Sequence, residues 1–157
     1  PATPSPAFGK ITLVDNHLRL QHGLEPYGDL LDTYLNRQSP NANYSTVGEG
    51  NAKRLRLSWD NGRKREDRSA LFGFDLSFLP SAATVTSATL KTYVTFRIPS
   101  NTSLNVAAYG ITRTWDIDSV TWNAAASGTP WGAPGANDTT SDRLATPADR
   151  QTLKARD

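Results

Sequence analysis

Apolar and polar positions alternate along much of this chain with a period of two. The clearest run is ATLKTYVTFRI, residues 88–98. There Ala88, Leu90, Thr92, Val94, Phe96 and Ile98 share one face, and Thr89, Lys91, Tyr93, Thr95 and Arg97 share the other. RLRLSW predicts a strand with Leu55, Leu57 and Trp59 inward and Arg54, Arg56 and Ser58 outward. SALFGFDL places Ala70, Phe72, Phe74 and Leu76 on one face and Gly73 and Asp75 on the other. LLDTYLN divides Leu31, Thr33 and Leu35 from Asp32, Tyr34 and Asn36.

Two runs change parity part-way. SLNVAAYGITR moves from Leu104, Val106 and Ala108 to Tyr109 and Ile111, which predicts a bulge near Ala108. ITLVDNHLRL moves from Ile11 and Leu13 to Leu18 and Leu20 across Asp15-Asn16. Turn residues separate the runs at Asp60-Asn61-Gly62, Pro80-Ser81 and Pro99-Ser100-Asn101. Helix signals are scarce, whereas Thr, Val, Tyr and Phe fit a pleated, half-buried surface. Together these predict an all-β fold, a β-sandwich of jelly-roll type.

From Ala124 onward small and polar residues take over. Residues 142–157, DRLATPADRQTLKARD, suit a short helix after Pro147 or an extended arm. The expected organisation is a linker or processed arm over 1–10, a sandwich domain over 11–140, and a polar C-terminal arm over 141–157. The Pro-rich start weakly favours a mature extracellular product.

Composition changes the picture in two places. The chain has 157 residues, enough for one domain with a core, and no cysteine. That excludes disulfides, thiolate metal sites and a Cys nucleophile. The formal charge is only +2. Within residues 53–68, however, Lys53, Arg54, Arg56, Arg63, Lys64, Arg65 and Arg68 stand against Asp60, Glu66 and Asp67, a local +4.

That cluster is the first binding candidate, because planar guanidinium forks bind carboxylates, sulfates or phosphates bidentately. A solvated edge strand protected by charge has the same pattern. Among aromatics, Trp131 in the Gly/Pro-rich GTPWGAPG is expected to be exposed, and Tyr44 in SPNANYS is open to a ligand. Trp59 reads as core. Asp29, Asp32 and Asp75, with loop carbonyls, are candidates for a structural calcium ion, or equally turn formers. Catalysis has no comparable support. His17 and His22 stand alone, Asp116 and Asp118 lack the surroundings of an acid/base pair, and no nucleophile or phosphate-loop motif occurs. The expectation is a chain without enzyme activity.

LQHGLEPYGDLLDTYL, SPNANYS, RSALFGFDLSFLP, ATVTSATLKTYV and ITRTWDIDSVTWNAAASGTPWGAPGAND follow one another in order. This set, spanning about residues 18–140, resembles the DNRLRE-domain family, also classed as carbohydrate-binding module family 96. The resemblance implies a secreted jelly-roll sandwich that binds an acidic polysaccharide or a cell-envelope glycan. The alternative it leaves is a structural subunit of an extracellular fibre or surface layer. Family domains continue past the GTPW segment into further strands, and residues 141–157 do not resemble them. Half a sandwich would expose its inner face at ~25 cal/mol per Å². The expectation is therefore a fragment, or a sandwich completed by a second chain or by self-association through strand complementation. Neither nucleic acid nor membrane insertion is expected.

Overall fold

The structure, a computed structural model, describes residues 30–45, 55–58, 67–77, 79–92 and 103–154. Among these the chain is all-β. Six strands run in the order β1 (Leu30–Asn36), β2 (Arg68–Phe74), β3 (Ser103–Ala108), β4 (Ala124–Ala126), β5 (Thr129–Pro130) and β6 (Asp149–Lys154). They form three antiparallel pairs, β1–β2, β3–β6 and β4–β5.

The register of β1–β2 sets the faces. Leu31, Thr33 and Leu35 lie opposite Gly73, Leu71 and Ser69, while Asp32, Tyr34 and Asn36 lie opposite Phe72, Ala70 and Arg68. Thr33, Tyr34, Leu35 and Asn36 are all buried, so β1 is covered on both sides. Leu35 and Leu71 enter a core with Val120, Trp122, Ala125, Trp131 and Ala136, and Ile111 and Trp115 pack against it. A Cβ at Gly73 would stand 3.2 Å from Trp115 Cζ2 and 3.3 Å from Leu31 Cβ, so the missing side chain lets the indole lie close to β2.

The SPNANYS loop after β1 is stitched to the C-terminal half. Asn43 Nδ2 donates to the carbonyls of Ile117 (2.9 Å) and Val120 (2.8 Å). Asn123 N donates to Pro40 O at 3.1 Å, and Asn123 Nδ2 to Asn41 Oδ1 at 2.8 Å. The polar loop residues thus satisfy backbone groups of a segment some 80 positions away.

Several expectations change. The strand predicted over 88–98 is absent from residues 88–92, which lie outside every ladder; residues 93–98 fall outside the described residues. Val85 and Leu90 are 61% and 50% exposed. Alternation defines two faces, but a strand needs a ladder partner, and none is found for this segment among the described residues. In RLRLSW, Leu57 is exposed (45%) and Arg56 is half-buried, against the expected sides, while Leu55 is half-buried; Trp59 lies outside the described residues. In β2, pairing with β1 turns Leu71 and Gly73 to the core, and Phe74 and Leu76 are exposed.

The parity switch near Ala108 is present as a strand end. Beyond it Tyr109, Ile111, Arg113 and Trp115 are half-buried while Gly110, Thr112 and Thr114 are exposed. The stretch after Ala124 is more ordered than its composition suggests. Of the two alternatives for 142–157, the extended form is found: β6 pairs with β3, Leu153 faces Leu104, and Thr152 Oγ1 donates to Asn105 Oδ1 at 2.8 Å.

Candidate functional site

The C-terminal half is organised around one carboxylate. Asp142 is fully buried. Its Oδ1 accepts from Gly132 N (2.8 Å), Arg113 Nε (2.7 Å) and Ser141 Oγ (3.2 Å). Its Oδ2 accepts from Ala133 N (3.0 Å) and Asp138 N (3.2 Å). Burial alone would raise this pKa. The amides of Ala133 and Gly132, the Arg113 guanidinium and the Asp138 amide outweigh it and hold the group at about 2. The loop that follows Trp131 is thereby tied to the segment 111–113.

Arg113 is oriented by this contact. Its side chain remains partly exposed, and its Nη groups are bonded to no acceptor among the described residues. It lines an open groove of about 660 Å³ beside the end of β2. Leu31, Phe72, Phe74 and Asp75 form one side; Tyr109, Ile111, Thr112, Thr114 and Trp115 contribute the other. Tyr109 carries the Arg143 guanidinium over its ring, 3.9 Å from the centroid. Asp75 Oδ1 accepts from Ser77 N at 2.8 Å, and this bond keeps its pKa below the ordinary carboxylate value.

The other end of the β1–β2 ladder carries a second constellation. Tyr34 and Tyr44 stack with centroids 4.3 Å apart and planes inclined by 26°. Asn36 Nδ2 donates to the Tyr44 hydroxyl at 3.0 Å. Arg68 Nη1 donates to Ser58 Oγ at 3.1 Å. Burial, then the neighbouring Tyr44, raises the pKa of Tyr34, while the charges of Arg56 and Arg68 oppose the shift. Two guanidinium groups therefore lie close to a stacked aromatic pair.

The model of carbohydrate-binding module family 96 matches residues 29–141, more than two thirds of the chain. The chain belongs to carbohydrate-binding module family 96. No curated protein and no solved structure matches it. Both constellations involve residues within the matched span; Asp142 and Arg143 follow directly after it.

The family 96 module brings together some of the residues that its sequence singles out. Arg56, Tyr44 and Asp32 belong to one neighbourhood: Arg56 acts on Tyr34, Tyr44 stacks on Tyr34, and Asp32 shares the strand face of Tyr34. Arg54, Arg63, Lys64, Arg65 and Asp29 lie outside the described residues. Trp131 is a correction. It is 5% exposed, belongs to the core, and its Nε1 donates to Thr121 O at 2.9 Å. The Asp142 contacts to the next two amides pull its loop inward, which its Gly/Pro setting concealed.

Among the described residues no three His, Asp or Glu side chains converge. Asp29 of the expected calcium set lies outside the described residues, and Asp75 closes a turn onto Ser77. Arg113, which the sequence does not single out, lines the groove with Tyr109 and Trp115, two of the aromatics open to a stacking role. Their signal was the odd-numbered parity beginning at Tyr109, which continues through Arg113 to Trp115.

Proposed function

We propose that this chain is a non-catalytic, extracellular or cell-surface module that binds an acidic polysaccharide. Membership of a carbohydrate-binding family over residues 29–141 is the observation that carries this reading. The ladders are read as parts of a jelly-roll sandwich. Arg54, Arg56, Arg63, Lys64 and Arg65 supply the charged surface, and Tyr44 supplies an adjacent ring. Supporting this, the local charge over 53–68 is +4, and the Arg56 charge acts on Tyr34, on which Tyr44 stacks. The stack occupies one face of the Tyr44 ring, so a sugar would meet its other face or edge.

Affinity electrophoresis in gels containing alginate, pectin or a neutral glucan tests this. Retardation by the acidic gels is expected, weakening as salt rises, because exposed charges are screened within ~10 Å at moderate ionic strength. Unaltered migration in every acidic gel would sink the reading.

A second reading, a fibre or surface-layer subunit that receives strands from a neighbour, draws on the exposed Val85 and Leu90 of segment 81–92, which has no ladder partner among the described residues. Light scattering separates the two, since a folded monomer at high concentration would count against the subunit.

A further inference from the structure

The groove beside the end of β2 differs chemically from the basic segment. Asp75 and Arg113 are the two ionic groups among its lining residues; with Asp142 paired to Arg113 and Arg143 seated over the Tyr109 ring, two cations stand against two carboxylates. Arg113 is already ion-paired with the buried Asp142, so it offers little surplus charge to an anionic ligand. Phe74, Tyr109 and Trp115 line the same groove. The volume of 660 Å³ lies within the range of roughly 300–1,000 Å³ typical of small-ligand clefts.

A sugar ring without ionic groups presents apolar C–H faces, and at its edge hydroxyls that both donate and accept. Aromatic walls suit the faces. A carboxylate acceptor and guanidinium donors on one groove suit the hydroxyl edge. A carboxylated or sulfated ring would be repelled by Asp75 and would find Arg113 compensated.

We infer that this groove is a separate site for a neutral hexopyranose chain, with Asp75 accepting from ring hydroxyls, Arg113 donating to them, and Trp115 and Tyr109 stacking. It lies at the opposite end of the β1–β2 ladder from Asn36 and Tyr44, roughly 17 Å along the strand. The site stands on its own chemistry and does not depend on the acidic-polysaccharide reading, although it extends that reading to a module with two kinds of glycan contact.

The test titrates the whole chain with cellohexaose, mannohexaose and galactohexaose, followed by calorimetry and tryptophan emission. At least one is expected to bind saturably, with an affinity that high salt leaves unchanged and an emission change that Trp115→Phe abolishes. Asp75 and Phe74 are exposed, so Asp75→Ala and Phe74→Ala leave the buried core intact, the first removing only the turn bond to Ser77 N. Asp75→Ala should weaken binding about tenfold, as expected for losing a hydrogen bond to a charged group. Alginate retardation of both variants should match the wild type. The inference is overturned if no neutral oligomer binds, if both variants bind as well as the wild type, or if they lose alginate retardation in parallel. Absence of alginate binding by the wild type would instead sink the acidic-polysaccharide reading alone.

Discussion

Arg113 Nε donates to Asp142 Oδ1 at 2.7 Å across 29 positions of sequence, and the carboxylate that receives it is wholly buried. Three backbone amides, from Gly132, Ala133 and Asp138, and the Ser141 hydroxyl complete its surroundings. An ionised group is tolerated here because its lone pairs are satisfied.

Asp142→Asn should therefore destabilise the chain by about 3 kcal/mol. The amide nitrogen would face an N–H of Gly132, Ala133 or Asp138, two donors meeting without an acceptor. Urea unfolding of the variant beside the wild type measures this. A loss below about 1 kcal/mol would show that the buried charge is dispensable.

Acid should weaken the fold through the same residue. The folded pKa of Asp142, about 2, lies below its ordinary 3.8. A depressed carboxylate pKa gives stability that is present above the unfolded value and lost as pH falls through the folded one. The contribution is about 2 kcal/mol, complete above about pH 5 and gone below pH 2. Unfolding free energies measured from pH 6 down to pH 2 should fall more steeply for the wild type than for Asp142→Asn. Equal slopes would mean that other carboxylates dominate the acid response.

Gly135→Ala is expected to cost about 3 kcal/mol, since strain and overlap add. The glycine has φ +82°, and a Cβ would stand 2.7 Å from Trp122 Cη2 in the core. Gly128, with φ +71° but open space around its Cβ position, is the control. Gly128→Ala should cost only about 1 kcal/mol, from its backbone alone. Thermal melting of the two variants that gave the same shift would refute the overlap with Trp122.

Thr33→Val should stabilise the chain by about 1 kcal/mol. Thr33 is 1% exposed, and its Oγ1 has no hydrogen-bond partner among the described residues. Valine keeps the shape and removes the desolvated hydroxyl. A lower midpoint in urea would mean that the hydroxyl does have a partner.

Much of this molecule was legible in its residues, and the misses have physical causes. Alternation revealed β1, β2, β3 and the continuing parity from Tyr109 to Trp115, because side-chain direction is a local property. The inward face of β2 was harder to read. Leu71 and Phe72 are both apolar, and the β1 register decides between them. Trp131 looked exposed because its neighbours are Gly and Pro. Its burial depends on Thr121 O and on the Asp142 cage, which chain spacing does not encode. The sequence left β6 open between a helix and an extended arm because its ladder partner, β3, lies some 45 residues earlier. Arg113 carries no local signal beyond that parity, and only its pairing with Asp142 gives it a fixed direction.

The Asp142 cage also bears on where this chain can hold its shape. It joins residues 111–113 to the 132–142 loop, the task that small secreted folds often assign to a disulfide. With no cysteine in the sequence, this tie consists of a carboxylate, amides and a guanidinium. None of these groups exchanges with thiols or is altered by mild oxidants. The loop should accordingly keep the same order in reducing and oxidising surroundings, with strong acid as the condition that releases it.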